Sequence, residues 1–126
     1  MYTQRPAPVF LDLFRIRFPA GAIASIAHRV AGVLLFLALP FLVYLLDLSL
    51  QGPEGFARAG TLLQSWWMRP VSVVLVWSLL HHLLAGVRFL LIDVDVGAHL
   101  QAARTSARVV NILGIALALA YAGWIV

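Results

Sequence analysis

Three long apolar runs, residues 23–46, 70–92 and 107–126, constrain this chain more than any single residue does. A bilayer core is crossed by about 20 apolar helical residues. In hydrocarbon every backbone N–H and C=O must be satisfied within the segment, which leaves the α-helix as the form such runs take. The expectation is an all-α membrane protein: one membrane domain over residues 1–126, with three transmembrane helices after an N-terminal segment, 1–22. Composition agrees. The chain is 63% hydrophobic and 11% charged, whereas an ordinary soluble domain is about 25% charged. Its 126 residues leave no room for a separate soluble enzyme domain. With no cysteine it has neither disulfides nor thiolate metal sites.

All nine basic residues are arginine, and the formal charge is +4. They flank apolar runs and form no basic stripe, so topology explains them and nucleic acid is not an expected partner. Arg5, Arg15, Arg17, Arg29, Arg88, Arg104 and Arg108 fall on one side of the membrane, Arg58 and Arg69 on the other. The positive-inside rule then places the N-terminus in the cytoplasm and the C-terminus in the periplasm. Arg5, Asp12, Arg15 and Arg17 interrupt any signal-peptide core, so the first span is expected to stay in the mature protein. Pro40 should kink or loosen that span. The connector carries Gly52, Pro53 and Gly55 as turn residues, and its "FARAGTLLQSWW" half reads as a short interfacial helix with Trp66 and Trp67 at headgroup level. No heptad, internal repeat or low-complexity tract is evident.

The polar residues in the spans carry the chemistry. An ionisable group costs about 2.5–3.5 kcal/mol or more at a bilayer centre, so each needs a partner or a purpose. In "ASIAHRVAG", Ser25, His28 and Arg29 lie at spacings that share one helix face. A hydroxyl, a ring nitrogen and a guanidinium together suit an oxygen-rich headgroup such as a quinone carbonyl or a carboxylate; snorkelling of Arg29 is the plainer alternative. His81 and His82 stand near the middle of the second span. Adjacent helical residues point about 100° apart. His82, with Ala85 and Gly86 following to clear a flat surface beside its ring, has the setting of a haem-b ligand, a histidine bonded between helices being the alternative. His81 reads as structural, facing another helix or hydrogen-bonded to a backbone carbonyl. His28 is placed near the cytoplasmic end and His82 a turn or more deeper, so the two are not expected to share an iron, and a second axial histidine would come from another chain. Arg88 follows His82 by six residues, about 9 Å towards the cytoplasm, within reach of haem propionates. Asp93 and Asp95 open a loop and read as solvated acids, and His99 has no assigned role.

At these residues the chain resembles a family: the larger, cytochrome b membrane-anchor subunit of bacterial succinate dehydrogenase, respiratory complex II. The likeness covers nearly the whole chain. It rests on Arg5-Pro6, "RFPAGAIASIAHRVAG" from Arg17 to Gly32, "PEGF" from Pro53 to Phe56, and "HLLAGVRFLLID" from His82 to Asp93. The resemblance implies a multi-pass chain of the inner membrane, assembled with a smaller anchor, an iron–sulfur subunit and a flavoprotein, in which succinate is oxidised. It further implies a ubiquinone pocket containing Ser25 and Arg29, with Asp93 near the same region. His82 would be an axial ligand of haem b, the other ligand coming from the smaller anchor. His28 and Arg29, with Arg88, would lie near the haem propionates. Two departures stand out: Phe89 where the family often has histidine, and Ala31 where serine or threonine is usual after "HRV". An anchor of fumarate reductase and a non-catalytic membrane scaffold are the competing readings.

Overall fold

A computed structural model of the chain describes residues 17–125. Arg5, Pro6, Asp12 and Arg15, and with them most of the N-terminal segment, lie outside the described residues. Four helices form: α1 (Ala20–Leu50), α2 (Pro53–Gln64), α3 (Met68–Asp93) and α4 (Leu100–Ile125). Three of them, α1, α3 and α4, are long and apolar enough to cross a membrane, and the described residues contain no strand. α1 contains the 23–46 run and outlasts it at both ends. The helix runs on through Pro40; the missing N–H there costs one i→i−4 bond but does not end the helix.

The packing is inverted relative to a soluble bundle. Phe36, Leu37, Leu90, Ile112 and Leu119 are each about two-thirds exposed, as suits side chains whose solvent is lipid or a neighbouring subunit. The interior is made of small residues. On α1 the buried positions are Ala24, Ala31, Ala38 and Leu45, with Leu48 beyond them under α2. On α3, apart from Met68 at its start, they are Ser78, His81, Ala85 and Arg88; on α4 they are Ala107, Val110, Gly114 and Ala118. Steps of seven on α1, and of three and four on α3, are the spacing of a left-handed supercoil. A heptad pattern is therefore present, contrary to the sequence reading. It is written in alanine, glycine and serine, which let helix backbones approach closely in lipid.

α3 packs against both α1 and α4, and α1 also touches α4. The α3–α4 turn is closed by two backbone bonds, Val96 N–H to Leu91 O (2.8 Å) and Asp95 N–H to Ile92 O (3.0 Å). Asp95 takes the left-handed conformation (φ 64°) between them, the pattern of a Schellman stop. This fixes Asp93 as the last residue of α3.

At the opposite end, α2 begins earlier than the sequence reading placed it. Gly52 turns the chain at φ 93° and Pro53 is the first helical residue, where its missing N–H costs nothing. Ala59 and Leu62 pack on Phe41, Leu45 and Leu48 of α1. A β-carbon at Gly55 would collide with the carbonyl of Leu48, so α2 lies directly on the α1 backbone. Trp66 is 85% exposed just beyond it.

Candidate functional site at the crossing of two histidines

The site forms where α1 and α3 cross. The imidazoles of His28 and His82 stack, with centroids 4.0 Å apart and planes within 9°. Nδ1 of His82 lies 3.1 Å from the carbonyl oxygen of His28. A carbonyl can only accept, so Nδ1 carries the proton and donates, and Nε2 keeps its lone pair. Phe89 closes the far side of His28, edge to face at 5.3 Å. The guanidinium carbon of Arg88 stands 5.2 Å from the Phe89 ring centre.

Two expectations change here. His28 and His82 lie at one depth, because their rings touch; His82 is not a turn deeper. They still do not bracket a common metal, since parallel rings 4.0 Å apart leave no axial position between them. The small residue facing His82 is also a different one. An ideal β-carbon on Gly32 would meet Cε1 and Nδ1 of His82 at 3.0 and 3.3 Å, whereas one on Gly86 would meet Nε2 of His28 at 3.5 Å. Each histidine rests on the glycine of the other helix. The motif H-x-x-A-G occurs twice, His28 to Gly32 and His82 to Gly86, and both of its alanines, Ala31 and Ala85, are fully buried. Gly32 and the repeat were missed in the sequence; the legible signal was this second copy on an antiparallel neighbour.

His81 turns the other way, into the seam of α3 and α4. It is 1% exposed, stacks on Trp77 at 5.4 Å, and faces Gly114, whose added β-carbon would lie 3.1 Å from Nδ1. Neither ring nitrogen has a partner among the described residues. Further along this seam Arg88 is buried. Its Nε donates to Ser106 Oγ (3.0 Å) and a terminal nitrogen donates to the carbonyl of Ala103 (2.9 Å), so two of its five donors serve α4. Asn111 Nδ2 donates to the carbonyl of Ala20 on α1 (3.4 Å).

Ser25 is half-buried on α1, while Arg29 and Asp93 are exposed. Ser25 and Arg29 are four residues apart on one helix, at the end of the bundle that also holds Asp93. Phe18, Ile23, Ile26 and Val30 around them are all more than 40% exposed. This is an open apolar face with a hydroxyl and a cation in it. Grooves lined by Tyr44, Leu48 and Leu62, and by Leu63, Arg69 and Trp124, belong to the opposite end.

Residues 3–121 match the family model described as succinate dehydrogenase/fumarate reductase transmembrane subunit. The chain is 36% identical to a succinate dehydrogenase cytochrome b556 subunit of Coxiella burnetii over 120 residues, 94% of this chain and 95% of the relative. It is 30% identical to the protein of the same name in Paracoccus denitrificans, over 83% of this chain and 79% of that one.

Proposed function

Since the chain belongs to the succinate dehydrogenase/fumarate reductase transmembrane-subunit family and is the multi-pass inner-membrane anchor of a succinate dehydrogenase, we propose that it binds haem b through His82 and helps to build the site at which ubiquinone is reduced. The relatives named cytochrome b556 support a b-type haem. The residues here fit one on donor chemistry. The bond from Nδ1 of His82 to the carbonyl of His28 is the observation that carries the assignment, because a metal-bound histidine almost always gives its other N–H to a carbonyl or carboxylate. When bound, the haem supplies a one-electron carrier within the membrane. His28, stacked flat on His82, would not be the second ligand; the family resemblance would place that histidine on the smaller anchor subunit.

His28 walls the ligand ring with its own. Arg29, exposed on the next position of α1, and Arg88, held by Ser106 and Ala103, supply positive charge for the propionates. On the neighbouring stretch of α1, the Ser25 hydroxyl donates to a quinone carbonyl. Arg29 steadies the negative charge that develops there as electrons arrive from the iron–sulfur subunit, and Asp93 stands at the same end of the bundle. A hydrogen bond aimed at developing charge lowers the barrier because it needs no reorganisation during the reaction. The apolar face around Ser25 is completed by the partner subunits, and succinate is oxidised in the flavoprotein.

The test is a reduced-minus-oxidised spectrum of the co-expressed complex. His82→Leu should remove or shift the b-type absorption; an unchanged spectrum rejects His82 as ligand. A colourless, quinone-indifferent complex would leave only a scaffold.

A further inference from the structure

Resting on the assignment of His82 as haem ligand, we propose that Gly32, together with the backbone carbonyl of His28, is the positioning element that fixes the orientation and tautomer of the ligand ring. In an α-helix the carbonyl of residue i already accepts the N–H of residue i+4; for His28 that residue is Gly32. A carbonyl has a second lone pair, but reaching it from outside the helix means passing the side chain of the residue one turn on. At Gly32 there is none. His82 uses the gap and brings Nδ1 to 3.1 Å from the oxygen. The space is fully used: a β-carbon on Gly32 would stand 3.0 Å from Cε1 and 3.3 Å from Nδ1, closer than ordinary van der Waals contact. Any side chain there moves the ring or lengthens its hydrogen bond.

The crossing is a near-repeat with one functional half. Its mirror contact, Gly86 under His28, leaves 3.5 Å for a β-carbon, which a methyl group fills without strain. The bond to a carbonyl also makes the ring a stronger base, so the ferric state is favoured and the potential lowered. Loosening the bond should raise it.

The experiment compares Gly32→Ala with Gly114→Ala, the glycine that seats His81 on the sealed side of α3, in the co-expressed complex. Haem content, midpoint potential and the electron paramagnetic resonance spectrum of the oxidised haem are the readouts, and succinate–dye reductase activity in membranes reports assembly. Gly32→Ala should weaken haem retention about 10-fold, the low end for loss of such an outer contact, or raise the potential and shift the resonance, while Gly114→Ala keeps the parent's haem content, potential and resonance. Identical spectra and potentials in parent and Gly32→Ala overturn the proposal, as do equal defects in the two variants. Should Gly32→Ala fail to assemble, parent complex labelled with 15N-histidine decides: a ligand Nδ1 proton in a strong hydrogen bond supports the seat, and its absence removes it. If His82→Leu retains the native spectrum, the ligand assignment falls. If it loses the spectrum and Gly32→Ala is silent, only the seat falls.

Discussion

His81 and His82 are neighbours in sequence, and each rests its imidazole on a glycine of an adjacent helix, Gly114 for one and Gly32 for the other. There the likeness ends. His82 is partly open, bonded through Nδ1 to a carbonyl and flanked by a second imidazole. His81 is sealed in the α3–α4 seam against Trp77 with both nitrogens unbonded to any described residue. One residue type, turned by about 100°, becomes the proposed haem ligand on one side of α3 and a packing element on the other. What separates them is the fate of the second nitrogen and access from outside the bundle. A glycine contact alone does not distinguish them.

That contrast can be broken most directly by exchanging the two histidines' fates. His82→Leu should remove essentially all b-type absorption from the purified complex, while His81→Leu keeps the spectrum; comparable losses in both would erase the distinction. Next in size is the proposed quinone end of the α1 face. Ser25→Ala should lower succinate–ubiquinone reductase turnover about 100-fold, the scale for removing one donor to developing charge, with succinate–dye turnover preserved. A parallel fall in both assays would place Ser25 in packing. On the sealed side the effects should be on stability. Gly114→Ala pushes a methyl group towards His81 and should cost about 1–3 kcal/mol by overpacking, read as earlier thermal loss of the complex with the haem spectrum intact. The smallest effect belongs to Asn111→Leu. It gives up one long interhelical bond, worth about 0.6 kcal/mol in a membrane, and should shift thermal tolerance barely and the spectrum not at all.

Much of this was legible in the sequence because hydrocarbon imposes a strong code. Apolar runs of the right length announced the three spans, and polar residues within them marked the candidate site. The register was hidden because a hydrophobic period was sought. In lipid large apolar residues face outward, and the informative repeat is that of Ala24, Ala31 and Ala38. Depth was misjudged for a related reason. Counting from helix ends placed His82 below His28, but α1 is 31 residues long and begins at Ala20, so its register against α3 is the one seen in the His28–His82 stack and not the one given by where the apolar runs start. The glycine partner of His82 was misassigned because a residue one turn along the same helix was considered, while packing supplied one from the facing helix.

The length of α1 has a further consequence. Asp47 and Arg29 bracket 17 uncharged residues, which rise about 27 Å along a helix, close to the roughly 30 Å hydrocarbon thickness of a bilayer. A helix set with Asp47 at one boundary would bring Ser25 to the other. A quinone ring docked against that hydroxyl would stand at the shore of the membrane with its tail still in oil. Its two protons would arrive from interfacial water over a few ångströms, with no conduit through the protein.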